Sequence, residues 1–136
     1  MNEVNIISPT GDTIRMEDDF GNGIFSAPKW SKSYNSIDYI CEPGQVIVAP
    51  VDGTINLVAY PFENKEYQAA LFENDFISLM IFYFIPDEDK IGIEVKQGDR
   101  IGIAQDISQA YNTKKRKMTP HINLHVLSID PLALMF

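Results

Sequence analysis

The feature that most constrains this chain is how often its strand-like runs are interrupted. Stretches rich in β-branched and aromatic residues are cut every few positions by Gly, Pro, Asn or Asp, which leaves no room for long helices. Gly44 to Pro50 reads as a strand closed by proline, Val51-Asp52-Gly53 as a tight turn, and Thr54 to Tyr60 as a returning strand, so a hairpin is expected there. Gln68 to Phe72 and Phe76 to Ile85 form a second expected pair across Glu73-Asn74-Asp75. The later strand is apolar on both faces and is therefore expected to be central. Val95 to Gln105 holds two short apolar segments about a Gln97-Gly98-Asp99 turn, where Gly98 can supply a positive φ without penalty. Asp106 to Tyr111 suits one or two helical turns capped by Asp106, and His121 to Leu127 suits a further strand. The expected class is all-β, an antiparallel folded sheet or β-sandwich with little helix.

Length and composition narrow this to one domain. At 136 residues and 45% hydrophobic content the chain can bury a core without disulfides or metal. Residues 1–30, with Gly11, Gly21, Gly23 and the acidic Glu17-Asp18-Asp19, read as an arm or hairpin packed on the sheet through Phe20, Phe25 and Trp30. Residues 31–136 then form the core unit. No apolar run reaches the ~20 residues needed to span a bilayer, so no membrane partner is expected. The net charge of −8 opposes a phosphate backbone, so no nucleic-acid partner is expected either. The single cysteine, Cys41, excludes an intramolecular disulfide and reads as a packed thiol. One basic run, Lys114-Lys115-Arg116-Lys117, reads as a solvated loop, with contact to an acidic partner as its functional alternative.

Both histidines lie in Met118-Thr119-Pro120-His121-Ile122-Asn123-Leu124-His125-Val126. Side chains two apart on a strand share a face at roughly 7 Å, so a His-x-His pair can converge on one centre. His121 and His125 are four apart, roughly 13 Å along a strand, which is too far for one tetrahedral ion with bonds of about 2 Å. The intervening residue on that face is Asn123.

Taken in order, several segments resemble the lysostaphin-type (LytM-like) zinc endopeptidases that cleave peptide crosslinks in bacterial cell walls. They are Asn35-Ser36-Ile37-Asp38-Tyr39, Pro43 to Ile55, Val95 to Gly102, Thr119-Pro120-His121 and Asp130-Pro131. The resemblance runs from about Gly23 to Leu134 and implies that family's fold, including a Gly-Asp hairpin of the kind found in barrel-sandwich folds. In the family an opening His-x-Gly-x-Asp supplies two zinc ligands, and a closing His-x-His supplies a catalytic histidine and the third ligand. Carried over by position, the first ligand becomes Tyr34, the aspartate is kept as Asp38, the catalytic histidine is kept as His121, and the third ligand becomes Asn123. A further family histidine, from the end of the central strand, is placed at Phe84. Two of three ligands are thus replaced in this degenerate member.

Those replacements matter chemically. Catalytic zinc takes three protein donors and lowers the pKa of a bound water to about 7. An amide oxygen is a poor donor beside imidazole, and a phenol must first lose a proton with pKa near 10. The expectation is therefore no zinc, no catalytic residue beyond the remnant His121, and a neutral polar network of Tyr34, Asn123 and Asp38 in the former metal cavity. His125 is expected at the surface or behind the site, although a rebuilt site of Asp38, His121 and His125 stays open as an alternative. The functional expectation is a non-catalytic binding or assembly module with protein partners, such as a component of a phage particle, with a groove able to hold a peptide or cell-wall fragment. The alternatives are a cell-wall endopeptidase with an altered ligand set and a non-catalytic amidase activator. The start Met1-Asn2-Glu3-Val4-Asn5 has no basic or apolar leader, so synthesis in the bacterial cytoplasm, with incorporation into a virion, is the expected location.

Overall fold

The computed structural model describes residues 5–12, 36–112 and 117–129. Its strands are β1 (Ser36–Ile40), β2 (Val46–Val48), β3 (Gly53–Ala59), β4 (Ala69–Glu73), β5 (Ile77–Phe82), β6 (Phe84–Pro86), β7 (Glu94–Val95), β8 (Arg100–Ala104) and β9 (His121–Ile129). A single α-helical turn, α1, covers Ser108–Tyr111, and a 3-10 turn covers Glu88–Lys90. Six strands form one sheet in the order β1-β9-β5-β4-β3-β7, and three form a second in the order β2-β8-β6. Every strand pair is antiparallel. Among the described residues no helix is long and apolar enough to cross a membrane.

The core lies between the two sheets because each contributes the apolar half of its alternating side chains. Phe72, Leu79, Ile81, Ile122 and Leu124 come from the larger sheet, and Ile47, Phe84 and Ile101 from the smaller one, all fully buried. Gly102 lets β8 and β6 close up, since a Cβ there would stand 2.3 Å from the Ile85 carbonyl oxygen and 2.8 Å from the Phe84 ring. Gly98 has φ +91°, as its turn requires. The expected pairing of residues 68–72 with the following strand is present as β4 and β5, and β5 is central.

Two expected local arrangements are corrected. Residues 44–60 do not form a hairpin: β2 pairs with β8 in the small sheet, whereas β3 pairs with β4 and β7 in the large one. The chain crosses between layers at Ala49 to Asp52. Buried Pro50 has no N–H for a ladder, and its carbonyl accepts from Ile7 N instead. Residues 76–85 are likewise not one strand, because the chain leaves the large sheet after Phe82 and enters the small sheet at Phe84. Residues 5–12 run beside β2, with Val48 N donating to Pro9 O. Phe20, Phe25 and Trp30 lie outside the described residues.

Candidate functional site

The alternation of β9 decides which of its side chains reach the site. Ile122 and Leu124 point into the core, so His121, Asn123 and His125 point to the opposite face of the large sheet. Antiparallel pairing sets Asn123 opposite Asp38 and His121 opposite Ile40 on β1, and Phe82 opposite Asn123 on β5. Residues 85 positions apart in the chain therefore become direct cross-strand neighbours.

Asp38 and Asn123 are hydrogen-bonded, with Asn123 Nδ2 donating to Asp38 Oδ1 at 2.6 Å. His121 stands beside them with only 4% of its surface exposed. Its Nδ1 lies 2.7 Å from the Thr119 carbonyl oxygen, which can only accept, so Nδ1 carries the hydrogen. Nε2 is then turned toward Asp38 Oδ2 at 3.6 Å, beyond hydrogen-bond length. His125, half-buried, is paired with Ser36 and Met80 further along the strand, on the same face but away from Asp38.

The segment after β5 reaches the site through Tyr83. Phe84, the position expected to match the further family histidine, is wholly buried in the core and forms part of the small sheet. Tyr83 is half-buried with its ring edge-on to that of His121, centroids 6.0 Å apart and planes at 86°. It makes a second edge-on contact with Tyr67 at 6.2 Å. Its φ is +77°, a region that costs a residue with a Cβ of the order of 1–3 kcal/mol. Burial pushes its phenol up to about 12, helped by Tyr111 and by the negative charge of Asp38, so the hydroxyl stays protonated at neutral pH. A positive φ at a tyrosine has no sequence signature, so this contact with His121 is visible only in the fold.

Of the remaining candidates, Tyr34, Lys114, Lys115 and Arg116 lie outside the described residues, and Lys117 is exposed. Cys41 is buried and its thiol is pushed up to about 12, first by burial and then by the carboxylates of Asp106, Glu42 and Asp12. Such a thiol is not a nucleophile near neutrality. A separate polar cleft of about 680 Å³, lined by Asp52, Glu73, Asn74, Asp75 and Glu94 among others, lies at the far end of β5 from Asn123. Its Glu73 carboxylate already accepts hydrogen bonds from Ser78 and Asn56.

A zinc ion of the kind the fold family uses needs three good donors. Among the described residues no group of three or more His, Cys, Asp or Glu side chains is disposed to hold a metal ion. One carboxylate oxygen of Asp38 accepts from the amide N–H of Asn123. The described donor set does not fit zinc.

No protein-family model matches the chain. It is 31% identical over 111 residues to leukocyte cell-derived chemotaxin-2 of Mus musculus, an alignment covering 76% of this chain and 69% of that protein. The chain belongs to the family of that protein. Its fold is that of the M23, LytM-like peptidases, as two solved structures show. A candidate peptidase M23 from Pseudomonas aeruginosa superposes with a TM-score of 0.58 at 17% identity, over 98% of this chain and 51% of that one. Helicobacter pylori Csd3 superposes with a TM-score of 0.54 at 16% identity, over 100% of this chain and 33% of that one. The chain thus spans about half the length of the first structure and a third of the second.

Proposed function

We propose that this protein is a non-catalytic module of the M23-peptidase-like fold, which binds a protein partner or an extended peptide and does not hydrolyse it. The observation that carries the reading is the amide of Asn123 donating to Asp38, at the position where the peptidases that the sequence resembles hold a metal-binding imidazole. Without a metal-bound water, His121 has no nucleophile to activate. Zinc is accordingly proposed to be absent from the working protein.

The same reading makes the family-equivalent site a recognition surface. Asp38 accepts and Asn123 donates on one face, and His121 is held by Thr119, so the cluster can pair with the alternating donors and acceptors of an extended chain. A role in a larger assembly, with a phage particle as one setting, belongs to the proposal, as does contact of an acidic partner with Lys114, Lys115, Arg116 and Lys117. Synthesis in a bacterial cytoplasm is proposed with it.

The test is native mass spectrometry before and after incubation with zinc, paired with turbidity measurements on cell-wall suspensions. The expected result is no stoichiometric zinc and no clearing. One zinc per chain removed by a chelator, with chelator-sensitive clearing, would overturn the reading in favour of a peptidase using an altered ligand set.

A further inference from the structure

The small sheet carries aliphatic side chains on both of its faces. Ile47 on β2 lies opposite Gly102 on β8, which lies opposite Pro86 on β6, and this row is buried against the core. The next row alternates to the outside and consists of Val46, Ile103 and Ile85, each directly opposite its neighbour. These three are 42%, 37% and 46% exposed. A bulge in the β2–β8 pairing leaves Ile101 without an opposite residue on β2, so Ile101 turns into the core although it stands two positions from exposed Ile103. An antiparallel sheet with one face in water ordinarily alternates apolar-in with polar-out. Here all three strands place a β-branched aliphatic residue in the outward row, which is the pattern of a layer covered on both sides.

The charge beside that row decides what can cover it. Arg100 is the one charged residue of β2, β6 and β8. Asp87 holds its guanidinium bidentately, with Nε donating to Oδ2 at 2.8 Å and Nη2 to Oδ1 at 3.1 Å, so the pair presents no net charge. The chain as a whole carries −8, and two copies repel wherever their acidic surfaces approach. A neutral aliphatic row is where they can meet with least repulsion. A basic partner drawn by the net charge would find no unpaired anion on these strands to receive it. The row is also self-complementary, because two copies related by a two-fold axis set the same three side chains against each other.

We infer that the outer face of the small sheet is a homodimer interface, where a second copy of this chain packs its own Val46, Ile103 and Ile85 against this row about a two-fold axis. The two small sheets stack face to face at the roughly 10 Å spacing of packed sheets. This names a partner and a surface for the assembly role proposed above. It rests on that role for its use, and not on whether the cluster on β9 binds a ligand. Three aliphatic side chains from each copy make a small interface, so the dimer is weak, with a Kd on the order of 100 µM. Copies held together in a larger assembly raise their effective concentration and strengthen it.

The test is sedimentation velocity on the full chain from about 10 µM to about 1 mM, at low and high salt. The wild type is expected to pass from monomer to dimer over this range. The dimer should be stronger at about 500 mM salt than at about 50 mM, because salt screens the repulsion between two chains of charge −8 and leaves the aliphatic contact intact. Ile103→Glu sets a carboxylate in the middle of both rows and should weaken the dimer about tenfold or more, with an unchanged circular dichroism spectrum. Ile103→Thr keeps the β-branch and the strand preference, so it serves where the glutamate variant fails to fold, and should weaken the dimer about threefold to tenfold. Leu57→Glu, at an exposed position of the large sheet, should leave the dimer unchanged. A monomer throughout would overturn the inference and leave the non-catalytic reading to its own zinc and clearing test. A dimer that high salt dissolves, that Leu57→Glu breaks, or that tolerates both Ile103 variants uses another surface, and each of those results would also overturn the inference.

Discussion

The two faces of β9 show how the fold and the site have separated. On the inner face Ile122 and Leu124 are fully buried among Leu79, Ile81 and Phe84, and nothing about them depends on chemistry at the site. On the outer face His121, Asn123 and His125 occupy the alternate positions, and there polar side chains meet Asp38 of β1 instead of the core. A strand's side chains alternate, so one face can keep its packing while the other is rewritten. The difference teaches that a peptidase-like fold is no evidence of peptidase chemistry, since the two properties reside on opposite sides of the same nine residues.

That separation can be broken from either side. The largest effect is expected from Leu124→Ala, which opens a cavity in the core. A loss of about 2–5 kcal/mol in unfolding free energy should follow, read by denaturant titration. Next is Gly102→Ala, whose Cβ would collide with the Ile85 carbonyl oxygen and the Phe84 ring. About 1–3 kcal/mol should be lost, and a wild-type midpoint would show that β6 and β8 can separate.

Asn123→Ala attacks the outer face by removing the hydrogen bond to Asp38. It should cost about 1 kcal/mol and leave the fold intact by circular dichroism. A larger loss would mean that the site is a structural staple and that the two faces are coupled. The last test is raising the pH. Cys41 and Tyr83 both have folded pKa values raised to about 12, above their ordinary 9 and 10. The unfolded chain therefore loses these protons first. The stability they contribute is fully present below about pH 9 and falls as pH rises toward 12. A melting temperature that is flat from pH 8 to 11 would contradict this, and Cys41→Ala should remove part of the slope.

Part of one polar cluster is legible in the sequence. Asp38, His121 and Asn123 were singled out from motif order, and the fold brings all three together. The remainder was hidden for identifiable reasons. The runs at 44–50 and 54–60 look like a hairpin because local turn chemistry is the same whether a chain folds back within a sheet or steps to the next layer. Their separation into β2 and β3 is decided by partners far away in sequence, β8 for one and β4 with β7 for the other. Tyr83 was read as interior to a strand because Phe76 to Ile85 is continuously apolar apart from Ser78, and apolar periodicity carries no sign of φ.

By itself the sequence determined the class, the strand-forming segments and the central place of β5. These follow from side-chain size, period and chemistry, which are local properties. Only the tertiary structure decided which strands share a sheet, that Phe84 lies in the core while Tyr83 faces His121, and that Asn123 donates to Asp38. Those outcomes depend on cross-strand register and on one residue held at a strained corner, and both are set by contacts between segments that no local pattern connects.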